Sequence, residues 1–354
     1  MFKVGILGCG KMGRIYANWF AQNKDTKPAA FYNRTFSRAE ELARKYGAKA
    51  YPDWKDIVRD PEIDIVGICT PSNEHHDQLL ECIANKKHVL IEKPFAATAA
   101  EAKVMAEAAL VSDSRVLVGF QMRFHPVIEK VNELLKTAGK IYNIDFYFGM
   151  YRPEVTWRHA LSQGGGVFKE LGSHLVDLSC MWLGDFSFIS SVNRILGEGR
   201  EVEDICQAVI EFQNGSFAGI SCNYWDRNGR AIHGRIITEN CQIDFNFSSY
   251  EKEDSKITLY DKDGAHEIEI VFPPENDIEE LYPGHLDSFK KEIDYFVNAV
   301  KGGKDISESV LAGLRSMVIT NAAYRSQMLN KVMAKKDDLF LVDLEKYFIR
   351  EGVG

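Results

Sequence analysis

Three absences narrow this sequence before any motif is read. None of its apolar runs approaches the ~20 residues a membrane-spanning helix needs. Its seven cysteines (Cys9, Cys69, Cys82, Cys180, Cys206, Cys222 and Cys241) are scattered and odd in number, with no C-x-x-C pair. That pattern excludes a disulfide framework and a cysteine zinc site and fits reduced thiols. Basic residues are outnumbered, 43 Lys and Arg against 51 Asp and Glu for a net charge of −8, which argues against a nucleic-acid binder. No low-complexity tract or internal repeat is present, and Phe2 to Leu7 is too short for the apolar core of a signal peptide. The expectation is a soluble, cytoplasmic protein with neither membrane nor nucleic acid as partner. Its 354 residues suit two domains better than one.

What is present begins at once. Phe2 to Leu7 is an apolar run of strand length, and Gly8-Cys9-Gly10-Lys11-Met12-Gly13 follows it directly. An apolar pattern at helical spacing then runs from Ile15 to Phe20. Strand, G-x-G-x-x-G and helix in that order form a dinucleotide fingerprint. Gly8 makes the tight turn, Gly10 lets a pyrophosphate approach the backbone, and Gly13 lets helix and strand pack closely. The free N–H groups and positive dipole at the helix start face the anion.

Strands and helices alternate to about residue 122, which predicts a parallel, doubly wound sheet with ligands at the carboxyl ends of its strands. The second strand ends in Asn33-Arg34-Thr35, without the acid that would bind a ribose 2′-hydroxyl and repel a 2′-phosphate. Arg34 can pair with that phosphate and Thr35 can donate to it, which favours NADP; with Arg34 merely solvated, Asn33 would bind the hydroxyls of NAD. The third strand ends in Thr70-Pro71-Ser72-Asn73, where Thr70 and Asn73 fall beside the ribose and nicotinamide half, and His76 follows on the next helix as a cofactor contact or a packing residue. The fourth ends in Glu92-Lys93-Pro94, whose Lys93–Pro94 bond is a candidate cis peptide.

Beyond residue 122 the pattern changes to long strands joined by turns such as Asn214-Gly215 and Asp263-Gly264, predicting a mostly antiparallel open sheet in an α+β domain. The boundaries read as 1–122, 123–334 and a tail, 335–354, that packs back on the body. Helices near 286–300 and 309–329 are expected to close the second domain. Aromatics such as Phe146, Tyr147, Tyr224 and Trp225 read as an exposed sheet face, so a homodimer or homotetramer through it is expected.

Within this second part Gly164-Gly165-Gly166 reads as a flexible lead into one helix near 168–183. Glu170, His174 and Asp177 fall at i, i+4 and i+7, on one face of it. Burying three ionisable groups there costs several kcal/mol unless they pair or act, which makes His174 a functional candidate. A metal on Glu170 and His174 lacks a third ligand at a recognisable spacing.

Gly8-x-Gly10-x-x-Gly13, Thr70-Pro71-Ser72-Asn73-x-x-His76, Glu92-Lys93-Pro94 and Gly164-Gly165-Gly166…Gly172-Ser173-His174-x-x-Asp177, in this order and spacing, resemble the glucose–fructose oxidoreductase and inositol dehydrogenase family (Gfo/Idh/MocA). The resemblance extends to Arg123-Phe124-x-Pro126 and Trp157-Arg158 and covers essentially the whole chain. It implies a Rossmann domain, a C-terminal α/β domain that often oligomerises, and NAD(P)-dependent oxidation or reduction of a polyhydroxylated substrate such as a sugar or cyclitol. By the same resemblance Lys93 is the active-site lysine on the reacting hydroxyl and His174 the general acid/base, the two meeting near the nicotinamide. Glu170 joins them as a catalytic candidate, and Arg123, Trp157, Arg158, Glu170 and Asp177 join them in holding substrate. Glu170 stands where the family often has aspartate, with Lys169 as a partner beside it. Relatives on this fold also include glycosidases that use the cofactor transiently and dinucleotide-sensing regulators without turnover.

Overall fold

A computed structural model describes residues 1–152, 154–160, 163–227, 231–248, 255–272 and 283–335. The chain divides into two compact units, Met1–Gln121 with Phe289–Leu314, and Met122–Ser288 with the chain from Arg315 onward.

The first unit alternates β1 (Phe2–Leu7), α1 (Lys11–Gln22), β2 (Thr26–Tyr32), α2 (Phe36–Tyr46), β3 (Lys49–Tyr51), α3 (Trp54–Arg59), β4 (Ile65–Ile68), α4 (Ser72–Ala84), β5 (His88–Glu92), α5 (Ala99–Leu110) and β6 (Val116–Gly119). All six strands are parallel in the order β3-β2-β1-β4-β5-β6. The direction of winding therefore reverses at β1, where a ligand crevice opens in sheets of this kind. The residues of β4 and β6 are all buried, as expected of strands covered by helices on both faces. Thr98 and Glu101 close a reciprocal capping box at the start of α5.

The second unit contains α6 (Pro126–Leu135), β7 (Ile141–Gly149), α7 (Ser173–Leu183), β8 (Phe186–Arg194), β9 (Ile205–Phe212), β10 (Phe217–Asn223), β11 (Ala231–Thr238), β12 (Gln242–Ser248), β13 (Lys256–Asp261) and β14 (Gly264–Ile268). After α8 (Pro283–Gly302) and α9 (Ser307–Leu329) the short β15 (Met333–Ala334) joins the edge of β8. The nine strands run β14-β13-β12-β11-β7-β10-β9-β8-β15, antiparallel except where β10 lies parallel to β7. In β9 every second residue is buried, Cys206, Ala208, Ile210 and Phe212, on the face that α7 covers with Leu175, Val176 and Leu178.

Two expectations change here. Phe146 and Tyr224 are core residues, 3% and 0% exposed, because their alternation places them on the helix-covered side. The open face carries exposed Phe188, Val192, Val209, Phe217 and Ile237 instead. The helical segment 289–314 packs with the first unit. Phe289 stacks edge-on to Tyr16 at 6.5 Å, Lys301 pairs with Asp25 at 2.8 Å, and Ser309 Oγ accepts the Val118 N–H at 2.8 Å. The tail from residue 336 lies outside the described residues.

Candidate functional site

The glycine loop leaves β1 with Gly8 at φ +94°, where a Cβ would sit 2.7 Å from the Cys69 backbone. A Cβ at Gly13 would run into the Gly8 carbonyl oxygen. Gly10 is the opposite case: extended at φ −76°, with nothing within 4 Å of a Cβ. It heads α1 without a side-chain cap or an acid in the first turn. Open space over uncapped N–H groups is what a pyrophosphate requires, so the residues fit a bound dinucleotide. Lys11 is exposed and Met12 half-buried at the same turn.

Asn33 braces this loop: its Oδ1 accepts the Cys9 N–H at 2.9 Å and its amide donates to the Thr35 carbonyl at 3.0 Å. Its side chain is thus engaged within the protein, while Arg34 and Thr35 are exposed beside it.

At the end of β4, the Thr70 hydroxyl donates to Gln78 at 2.6 Å. Pro71 caps α4, and Asn73 is exposed. His76 is half-exposed and bonds its neighbour Asp77 at 2.8 Å. The buried histidine of the pair is His75, a residue the motif reading passed over. Its ring nitrogens lie 2.9 Å from the Thr70 carbonyl and 3.3 Å from the Phe95 carbonyl, tying the β4 and β5 ends together. Burial pushes its pKa down, favouring the neutral ring. Helical periodicity could have found it, since His75, Gln78, Leu79 and Cys82 form the inner face of α4.

Lys93 is half-buried at the end of β5, and the Lys93–Pro94 bond is cis. Glu92 is buried, 6% exposed. Its Oε2 accepts the Lys93 N–H at 3.2 Å. Burial, opposed by the Lys93 charge, pushes its carboxyl up to about 7.

In the second unit the predicted helix is two pieces. Phe168–Gly172 is a π-helical turn, and α7 continues from Ser173. Glu170 lies in the wider turn, while His174 and Asp177 lie in α7. Asp177 is buried in a bidentate pair with Arg123, at 2.6 and 2.7 Å. Glu170 accepts from Arg158 Nε at 2.6 Å and from the Tyr224 hydroxyl, with Arg152 at 3.6 Å. His174 is 3% exposed, in the first turn of α7, among the apolar residues of that helix. The backbone of Trp157 forms a short 3₁₀ turn with Arg158, while its side chain lies outside the described residues.

The triple glycine is buried. Gly166, at φ +124°, would place a Cβ 2.7 Å from the Tyr324 hydroxyl and 2.8 Å from Glu203 Oε1. Glu203 in turn accepts the Phe168 N–H at 3.0 Å and the Tyr324 hydroxyl at 2.8 Å, clamping the start of the π turn. Burial raises its carboxyl to about 7. Arg152, Tyr224, Glu203 and Tyr324 carry no local motif; their partners are brought together by the fold. Among the described residues no cluster of three or more His, Cys, Asp or Glu side chains could hold a metal, and no helix is long and apolar enough to cross a membrane.

Comparison with known proteins agrees with this architecture. Residues 2–120 match an oxidoreductase family domain with an NAD-binding Rossmann fold, and residues 133–334 match the same family's C-terminal alpha/beta domain. The chain is 24% identical to myo-inositol 2-dehydrogenase of Thermotoga maritima, over 92% of this chain and 96% of that protein. It is 26% identical to levoglucosan dehydrogenase of Pseudarthrobacter phenanthrenivorans, over 91% of this chain and 95% of the relative. A solved levoglucosan dehydrogenase complex with NADH shares the fold at a TM-score of 0.85 and 22% identity, over 94% of this chain and 98% of that one. With both family domains matched in order and more than half the chain inside the second, this protein belongs to the Gfo/Idh/MocA family of oxidoreductases.

Proposed function

We propose that this protein transfers hydride between a nicotinamide dinucleotide and a hydroxyl or keto carbon of a sugar, sugar derivative or cyclitol, with Lys93 and His174 as its catalytic pair. The observation that carries the reading is His174: a nearly fully buried, ionisable ring in the first turn of α7, one turn before the buried carboxylate of Asp177. The named relatives, dehydrogenases of inositol and of levoglucosan, support the substrate class.

When bound, the nicotinamide supplies the two-electron acceptor or donor at its C4. In the oxidative direction His174 takes the proton of the reacting hydroxyl, a task suited to histidine because it exchanges protons near neutral pH. The Lys93 ammonium stabilises the negative charge that grows on that oxygen. Lys93 starts from the carboxyl end of β5, and its main chain is held by Glu92. Gly10 and the first turn of α1 hold the pyrophosphate, and exposed Arg34 with Thr35 favours NADP over NAD. The exposed apolar side chains on the open sheet face support assembly as a homodimer or homotetramer.

The test is a pair of variants, Lys93→Met and His174→Ala, assayed separately for cofactor affinity and turnover. Each is expected to bind cofactor nearly as wild type and to lose about 10²-fold or more in kcat. Near-normal turnover in either would remove that residue from the pair.

A further inference from the structure

The segment 200–204, which leads into β9, buries three ionisable side chains, Arg200, Glu203 and Asp204, around Val202. Buried polar groups are costly unless they are bonded, so their partners show what the segment holds. Those partners include the backbones that carry the candidate substrate residues. Arg200 pairs with Asp204 at 2.5 Å and donates to the Arg152 carbonyl at 2.6 Å. The Glu201 N–H donates to the His159 carbonyl, and the Asp204 carbonyl accepts the Tyr224 N–H, both at 2.9 Å. Between them Glu203 takes hold of the π turn. Its carbonyl accepts the Val167 N–H at 3.1 Å, and its Oε1 accepts the Phe168 N–H at 3.0 Å.

A helix start leaves N–H groups without intrahelical partners, and the residue just before it usually serves them. Val167 stands in that place and supplies no side-chain bond, so the cap comes from Glu203, 35 residues along the chain. The Tyr324 hydroxyl donates to the same Oε1 at 2.8 Å and fixes the carboxylate from α9. The connection runs on through Gly166, packed against Glu203 and Tyr324. Its N–H donates to the Arg158 carbonyl and its carbonyl accepts the Glu170 N–H, both at 2.9 Å. A buried carboxylate adds little stability compared with an apolar side chain of its size. What it supplies here is direction.

Accepting the reading of this protein as a polyol dehydrogenase, we propose that Glu203 is a positioning residue for the reaction: by capping the π turn it sets the placement of His174 and of the Arg158–Glu170 pair. It acts through the main chain of residues 166–168. The acceptor at Oε1 is what counts, and an amide oxygen in its place accepts the same two bonds. The effect on rate is large because a displacement of about 1 Å at a reacting group costs about a hundredfold.

The test compares Glu203→Met, which keeps the bulk without the acceptor, with Glu203→Gln, which keeps the oxygen. Turnover of a panel of sugars, sugar acids and inositols is followed by nicotinamide absorbance, and dinucleotide affinity by fluorescence titration. Amide hydrogen exchange of the peptide 166–172 is followed by mass spectrometry. Glu203→Met is expected to lower kcat/KM about ten- to hundredfold and to speed exchange of that peptide about tenfold or more. Dinucleotide affinity should stay within about twofold, since the glycine loop belongs to the first unit. Glu203→Gln should recover most of both losses. Phe212→Leu, a core change at the far end of β9, is the destabilised control and should keep kcat/KM near wild type, which separates placement from general stability. If Glu203→Met does not fold, Tyr324→Phe removes one of the two bonds to Oε1 and should lower kcat/KM about threefold or more. Unchanged kcat/KM in folded Glu203→Met, or in Tyr324→Phe in its stead, would overturn the proposal, as would a loss in Glu203→Gln as deep as in Glu203→Met. If the wild type turns over no member of the panel, the dehydrogenase reading falls and exchange decides alone. Faster exchange in Glu203→Met, restored in Glu203→Gln, then upholds the placement of the turn, and unchanged exchange overturns it.

Discussion

At the scale of single residues, two side chains carry distinct expectations. Arg34 is exposed after β2, where the strand is followed by Asn33 rather than by an acid. Replacing Arg34 with Asp removes a charge-assisted partner for a 2′-phosphate and adds a repulsive one. The ratio of kcat/KM for NADP over NAD should fall at least tenfold. A wild type that already prefers NAD, with the variant little changed, would count against the assignment. Glu92 makes a prediction about pH. Its carboxyl rises from the ordinary 4.5 to about 7 because the folded state buries it. Between those values the folded chain holds a proton that the unfolded chain releases. The stability linked to this group is therefore complete below about pH 4.5 and declines as pH rises through about 7, by up to about 3 kcal/mol. Glu92→Gln should abolish that share of the decline, seen as denaturation midpoints that change less between pH 5 and pH 8. Parallel curves for the two proteins would show that the carboxyl ionises without cost.

At the scale of elements, the loop between β1 and α1 separates folding from binding. Gly10→Ala places its methyl in empty space at an ordinary backbone conformation, so the fold without cofactor should keep its melting temperature or gain slightly. The same methyl occupies the approach of a pyrophosphate, and dinucleotide affinity should drop at least tenfold by fluorescence titration. Unchanged affinity would mean that the phosphates do not cross Gly10. Gly166→Ala is the contrasting case: its methyl meets Tyr324 and Glu203 at positive φ, and the expected outcome is a loss of about 2 kcal/mol or more in urea denaturation. These elements also show how far sequence reached. The β1–α1 loop and the hairpin at Asn214-Gly215 were legible because their determinants are contiguous. The π turn was hidden: Val167, Leu171, Leu175 and Leu178 keep an unbroken helical rhythm straight through it. What marks it is the Phe168 ring lying where a Cβ of Gly172 would be, together with the distant Glu203 on the Phe168 N–H. Tyr224 and Arg152 escaped for the same reason, since pairing with Glu170 depends on strands far apart in sequence. Short β3 and β15 were missed because three and two residues cannot display a period.

At the scale of the whole molecule, alternation in β8, β9 and β10 leaves Phe188, Val192, Val209 and Phe217 exposed on one side of a nine-stranded sheet. Light scattering at micromolar concentration is expected to give two or four times the mass of one chain. Val209→Lys, which puts a charge amid these side chains at no cost to the opposite, core-facing residues of β9, should shift the mass toward one chain. A monomeric wild type would sink the idea.

The return of residues 289–314 to the first unit bears on how the protein is born. Ribosomes release the cofactor-binding strands first, yet Tyr16 and Val118 must wait for Phe289 and Ser309, which emerge after the whole nine-stranded sheet except its last edge. The part made earliest is thus among the last completed, and a nascent chain stalled before residue 289 should hold a nucleotide-binding half whose apolar surface still needs a chaperone.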